Sequence, residues 1–133
     1  MNICAELFAK SLKSKKLNYQ SGTSGDNSVI EFPYDGKIAR LFFCGDKGTY
    51  LSVYLVYESV PKEKTVDVIL TCNDLNAQYK WITFYVDRDN DVILHDDAIL
   101  TPETACEEAF ELLVRMLKIS DEVKPVIMKA IYA

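Results

Sequence analysis

The sequence predicts an α+β protein: a single layer of mostly antiparallel sheet with helices packed on one face, in the order α-β-β-β-α-β-β-α-α. Three observations carry that expectation. A lysine-bordered amphipathic segment opens the chain, two groups of apolar strand patterns follow with a helical stretch between them, and two further helical patterns close it. At 133 residues the chain has the length of one domain, and residues 1–133 are read as a single unit.

Taken in order, Ile3, Leu7, Phe8 and Leu12 recur at helical spacing with lysines on the other side, which predicts an amphipathic helix ending near Leu17. Residues 21–28, SGTSGDNS, gather Ser, Gly, Asp and Asn and read as a loop. VIEFPY (29–34) alternates and then turns at Asp35-Gly36. Pro33 cannot donate to a ladder, which puts this strand at an edge or ends it there. IARLFFC (38–44) is more continuously apolar, as suits a strand buried on both sides, and Gly45 to Gly48 make a short hairpin connection. In TYLSVYLVYE (49–58), Leu51, Val53, Leu55 and Tyr57 face one way and Tyr50, Ser52, Tyr54 and Val56 the other. Pro61 breaks the pattern, and Val66, Ile69, Leu70, Cys72 and Leu75 then fit a helix over 65–79. WITFYVD (81–87) and DVILHD (91–96) are two more strands, joined by Arg88-Asp89-Asn90. Thr101-Pro102-Glu103-Thr104 starts a helix with Thr as cap, Pro at the first position and an acid in the first turn. Cys106, Ala109, Phe110, Leu113 and Leu117 continue it to about Lys118. The tail from Ser120 reads as a separate short helix, with Pro125 in its first turn and Val126, Ile127, Ala130 and Ile131 inward.

Charge and cysteine usage disfavour several function classes. The net charge is −5, yet residues 1–18 carry Lys10, Lys13, Lys15 and Lys16 against Glu6, so the remainder is strongly acidic. An acidic body repels phosphate backbones, and no nucleic-acid partner is expected. The basic end is read as the solvated face of the first helix. No apolar run approaches the roughly eighteen residues of a membrane span, so no membrane partner is expected either. Cys4, Cys44, Cys72 and Cys106 are widely spaced with no CxxC pair, and three of them sit in apolar patterns where a thiol behaves as a small hydrophobe. The lysines of the N-terminal segment follow its apolar residues, the reverse of a signal peptide. A reduced, cytoplasmic setting is the expectation.

The stretch from Cys72-Asn73-Asp74-Leu75-Asn76 through WITFYVDRDNDVILHDDAIL contains an Asn-x-x-Asn pair closing a helix, a strand, an acidic turn and a second strand. In these features it resembles the YbjN family, bacterial proteins whose fold is like that of type III secretion chaperones. The tail from Asp121 to Tyr132 looks like that family's usual ending, and the opening helix followed by three strands agrees with it. The resemblance covers about half the chain by motif and the whole by element order. It implies a secretion-chaperone-like fold and a regulatory or chaperone-like role, and it supplies no catalytic positions.

His95 is the only histidine and lies beside Asp96 and Asp97. A metal site needs three or four converging ligands, and a pair of His95 with Cys44 or Cys106 needs a third orienting group. Neither is legible, so a histidine on the sheet surface is the preferred reading. An enzyme working through His95 or a cysteine would instead require a depressed thiol pKa. Asp87-Arg88-Asp89-Asn90-Asp91 places oxygens alternately, as calcium loops do, but Val92 and Ala98 stand where an EF-hand needs Gly and Glu. A hairpin turn explains the same residues. Asn73 and Asn76, at the end of the second helix, are read as amides that stabilise its C-terminus or pin the turn into the next strand. No GxGxxG, P-loop or GxSxG occurs, so no cofactor, no metal and no enzymatic activity are expected.

One constellation points to a partner. If Leu51, Val53 and Leu55 face the helices, Tyr50, Ser52 and Tyr54 lie on the opposite face. In the next strand Ile82, Phe84 and Val86 would then be inward, and Trp81, Thr83 and Tyr85 outward. Tyr and Trp on an uncovered sheet face have the chemistry of protein interfaces; cross-strand aromatic pairs also stabilise a solvated sheet. The expected function is a non-enzymatic protein-binding module, chaperone-like or a regulatory adaptor. It would use Tyr50, Tyr54, Trp81, Thr83 and Tyr85 against a second copy (a homodimer) or another protein partner. The alternative is a small-ligand sensor with a pocket between sheet and helices near Asn73, Asn76 and Trp81.

Overall fold

Alternation along the strands divides the sheet into a sealed face and an open one. In the computed structural model, which describes residues 1–133, the elements are α1 (Ile3–Ser14), β1 (Gln20–Ser24), β2 (Asn27–Tyr34), β3 (Lys37–Cys44) and β4 (Tyr50–Ser59). After a 3₁₀ turn at Lys62–Lys64 come α2 (Thr65–Gln78), β5 (Thr83–Val86), β6 (Asp91–Ile99) and α3 (Ala105–Tyr132). The six strands form one antiparallel sheet in the order β1-β2-β3-β4-β6-β5. The register aligns the inward residues: Ile30 lies opposite Leu41 and Leu41 opposite Val53, while Leu55 lies opposite Leu94 and Leu94 opposite Phe84. All are buried, in one core with Phe8 and Leu12 of α1, Val68 and Leu75 of α2, and Leu113 and Met116 of α3. The α+β class with helices over one sheet face therefore holds. No helix is long and apolar enough to cross a membrane.

Several elements differ from the sequence reading, each for a physical reason. Residues 20–24 are a strand, β1, where a loop was expected. Every one of its residues is exposed, so no apolar pattern marks it. It is held by backbone pairing to β2 across a turn at Gly25 and Asp26, with Gly25 at φ 61°. Pro33 lies within β2, which is an inner strand, beyond the last residue that β1 pairs. β3 is buried on one side only; Phe42 on its other side is half-buried against Tyr54 rather than under a second layer. In α2 the buried stripe is Val68, Cys72 and Leu75, while Val66, Ile69 and Leu70 face solvent.

The two closing helices are one. α3 carries a continuous inward stripe, Ile119, Val123, Ile127 and Ile131, through the point where a break was expected. Pro125 lies on the exposed side of this helix, as does Asp121, so the carbonyl that Pro125 leaves without its helical partner is open to water. Three tyrosines hold the same stretch. Tyr57 donates to the Ser120 carbonyl at 2.8 Å, Tyr34 to Asp121 at 2.6 Å and Tyr79 to Glu122 at 3.2 Å.

At the other end, Asn2 caps α1 by accepting from the Ala5 N–H at 3.1 Å, and its amide donates to the Phe43 carbonyl at 2.8 Å. Gly48, at φ 72°, crosses directly over that side chain; a Cβ there would lie 2.1 Å from Asn2 Oδ1, so a larger residue would have to displace the capping amide.

Asn76 does not end α2. Its side chain reaches the free edge of β5, accepting from the Phe84 N–H at 2.7 Å and donating to the Phe84 carbonyl at 2.9 Å. That amide substitutes for a seventh strand at this position. Replacing Asn76 by Ala is expected to lower stability by about 1–2 kcal/mol, as two backbone groups lose their partner. Asn76→Asp keeps the acceptor and loses the donor, so it should fall between the two in urea unfolding. Wild-type stability in both variants would contradict the role assigned to the amide.

Candidate protein-interaction face

Opposite the helices, four strands bring their aromatic side chains into one row. The register sets Tyr54 of β4 directly across from His95 of β6. By the alternation of the ladder this is a non-hydrogen-bonded pair, the class whose side chains approach most closely. The rings stack at 4.2 Å with only 8° between their planes. Phe42 of β3 meets Tyr54 edge-on at 5.7 Å, and Tyr85 of β5 meets His95 edge-on at 6.4 Å. Both are the diagonal contacts that long side chains make on neighbouring strands. No helix lies over this row, and around it stand Ile38 (41% exposed), Val56 (42%), Tyr50 (49%) and Ile99 (80%).

A polar group is set into the same face. Asp97 accepts from the Ser52 hydroxyl at 2.5 Å, and His95 Nε2 approaches the same carboxylate oxygen at 2.9 Å. Partial burial pushes this carboxyl up, but the hydrogen bonds from Ser52 and His95, the imidazole's charge and Tyr50 outweigh that and hold it below the usual value. Ser, His and Asp here do not form a nucleophilic relay, because the serine donates to the carboxylate and not to the imidazole. Burial first pushes both the Tyr54 and Tyr85 hydroxyls up, aided by the Asp97 charge at Tyr54 and by Tyr54 and the Asp87 charge at Tyr85, so both remain O–H donors at neutral pH. Beyond Phe42, Arg40 of β3 pairs with Glu31 of β2 at 2.8 Å.

Of the residues singled out in the sequence, Tyr50, Ser52, Tyr54, Thr83 and Tyr85 do come to this face. Trp81 does not. It precedes β5 with φ 79°, is 65% exposed, and packs its ring on the Arg115 guanidinium of α3 at 4.9 Å, on the helix side. Phe42, His95 and Ile99 belong to the face and were not grouped with it. The signal for Ile99 was hidden because Asp96-Asp97 look like a strand terminator. In fact Asp96 turns to the helix side, where burial raises its carboxyl, and the strand runs on to Ile99.

Asn73 is exposed, and none of the five principal surface clefts is walled by Asn73, Asn76 or Trp81. The carboxylates of Asp87, Asp89 and Asp91 lie within 4.8 Å of one another. Asp87 accepts from the N–H groups of Asp89 (3.1 Å) and Asp91 (2.9 Å), the hydrogen bonding of a hairpin turn. All four cysteines are free. Burial pushes up the thiols of Cys4, Cys44 and Cys72, the last to about 11, which leaves these three protonated and weakly nucleophilic.

Comparison with known proteins places this geometry. The model of the YbjN family, described as "Putative bacterial sensory transduction regulator", matches residues 5–125. No curated protein matches the chain by sequence. Among solved structures, the type III secretion chaperone SycH of Yersinia pestis, in complex with a stable fragment of YscM2, is similar with a TM-score of 0.61 and 11% identity. The match covers 91% of this chain and 99% of that one, and at such identity the likeness is one of fold. The family and the structural neighbour are regulator- and chaperone-like rather than enzymes.

The lowered Asp97 carboxyl makes a pH prediction with a definite sign. A carboxyl held down in the folded state contributes stability that is present above its unfolded pKa of about 4 and is lost as pH falls through the folded value. Asp97→Asn should therefore reduce stability at neutral pH and narrow its gap to wild type below about pH 4. The Asp97 charge raises the Asp96 carboxyl only after burial, the Asp97 backbone hydrogen bond and Arg115 have acted, so its loss alters the Asp96 contribution little. A gap that stays constant through acid, in paired denaturation curves, would remove the carboxylate from this account.

Proposed function

The chain belongs to the YbjN family, and from that premise we propose that it is a non-enzymatic protein-binding module, a chaperone-like or regulatory adaptor, which engages a protein partner through the open aromatic face of its sheet. The observation that carries the reading is the row Phe42–Tyr54–His95–Tyr85, left without a covering helix and rimmed by exposed Ile38, Tyr50, Val56 and Ile99. Such a face combines apolar area at low side-chain entropy with phenol and imidazole tips able to hydrogen-bond, the mix enriched in interface cores. Tyr50, Tyr54, Thr83 and Tyr85 are the contact residues; Trp81 lies outside the interface.

Two further facts support it. The structural neighbour SycH carries a protein fragment, that of YscM2, in its solved complex. The thiols of Cys4, Cys44 and Cys72, raised by burial, and the serine that donates to Asp97 argue against nucleophilic catalysis. Four unpaired cysteines fit a reducing cytoplasm as the working compartment.

The test is affinity capture from the native cell with mass spectrometry, repeated with Tyr54→Lys and Tyr85→Lys. A charge placed in the middle of the row should weaken a stoichiometric partner by about tenfold or more, with circular dichroism unchanged. A partner retained at full strength by both folded variants would show that the face is not the interface.

A further inference from the structure

Charge on the open face is one-sided. Register sets Glu31, Arg40, Tyr54 and His95 in one outward line across the sheet, and Phe42, Ser52 and Asp97 in the next. Arg40 is already paired with Glu31 at 2.8 Å. At the β5–β6 turn the carboxylates of Asp87, Asp89 and Asp91 gather within 4.8 Å of one another. Asp91 and Glu58 line a hollow of about 440 Å³ there with Ile38 and Val56. Lys37 borders the same hollow, but its ammonium lies over the Tyr57 ring. No Lys or Arg comes within ion-pair distance of Glu58, Asp87, Asp89 or Asp91. Among the aromatic rings stands a carboxylate with one oxygen in use. The Ser52 hydroxyl and His95 Nε2 both meet Asp97 Oδ1, and no protein group donates to Oδ2. The Asp97 side chain is 41% exposed, beside the equally open ring of Tyr50.

Resting on the reading of this face as the protein interface, we propose that the segment it takes is basic: an arginine of the partner donates to Asp97 Oδ2 and lays its guanidinium on the neighbouring tyrosine rings. Apolar residues beside that arginine cover Phe42 and Ile99, and further basic residues lie toward Glu58 and the Asp87–Asp91 turn. Desolvation selects this chemistry. An uncharged apolar segment covering the face would strip water from Oδ2 and leave a charged oxygen without a donor. A cationic donor restores the hydrogen bond in its stronger, charge-assisted form. Arginine fits better than lysine, because a flat guanidinium can stack on a phenol ring while its N–H groups reach a carboxylate. The carboxylates that no base pairs extend the same preference along the face. A second copy would bring the same acids to them, and a phosphate surface would be repelled. The lysines of α1 stand on the helix side of the sheet, where they do not neutralise it.

The experiment titrates the isotope-labelled full chain, followed by two-dimensional NMR, with three short synthetic peptides. They share their leucine and isoleucine positions and carry arginine, glutamine or glutamate at the rest. The arginine peptide should shift the amides of Phe42, Tyr54, His95 and Tyr85 and bind about tenfold or more tightly than the glutamine peptide, with the glutamate peptide weakest. That advantage should shrink as sodium chloride is raised. Asp97→Asn should weaken the arginine peptide about fivefold and leave the glutamine peptide unchanged. Tyr54→Ala, which removes a ring and no charge, should weaken both, each variant keeping its circular dichroism spectrum. If Asp97→Asn unfolds, the peptide series and the salt dependence on wild type decide. Equal affinity for the arginine and glutamine peptides overturns the proposal, as does an arginine advantage that survives in folded Asp97→Asn. When Tyr54→Ala still weakens both peptides, such a result strikes the charge preference and keeps the face as an interface. Shifts confined to other surfaces, no binding by any peptide up to millimolar concentration, or a face closed by a second copy that no peptide displaces overturn the proposal as well.

Discussion

The two-residue repeat of an extended backbone is the constraint on which everything else here rests. It sends alternate side chains to opposite faces and alternate peptide groups to opposite edges. Once Ile30, Leu41 and Val53 are aligned under the helices by the register, the positions of Phe42, Tyr54 and His95 on the other face are no longer free. The same parity decides that Phe84 presents its peptide groups outward at one edge. A slip of one residue would bury the aromatic row under the helices and expose Leu41, Val53 and Leu55, so register is strongly specified by core burial.

Helix coverage of only one face follows from the chain's order. α1 precedes the sheet, α2 bridges β4 to β5, and α3 closes the chain by running along its own buried stripe. The tyrosine hydroxyls of Tyr34, Tyr57 and Tyr79 all meet α3 within Ser120–Glu122, so β2, β4 and the end of α2 are tied to a single turn of one helix. Packing thus overrides local preference: Pro125 lowers helix propensity where it stands, yet Val123 and Ile127 on either side are buried and hold the helix through it.

What could be read in the sequence and what could not divides along the same physical line. Strands with an apolar face, such as 49–58, announced themselves because burial imposes a pattern on them. The outward placement of Tyr50, Tyr54 and Tyr85 came with it. β1 was illegible because a fully exposed strand held by backbone hydrogen bonds leaves no pattern in its side chains. Trp81 was misplaced because alternation was extended two residues past the strand, into a left-handed residue at φ 79° that turns its side chain toward α3. Asn76 shows in the sequence only as a structural amide, for the helix end or for the turn beyond it; the groups it holds on Phe84 depend on ladder parity, which an isolated helix end does not reveal.

The clamp at Phe84 also bears on what the molecule avoids. A sheet with two vacant margins can add copies head to tail without limit, each new chain offering the next the same vacancy, and such growth ends in fibres. Here the margins are unlike: one side-chain amide fills the outward site on β5, while β1 is bare. Joining β1 of one chain to β5 of another must first evict that amide. Indefinite polymerisation is thereby discouraged at the cost of one asparagine.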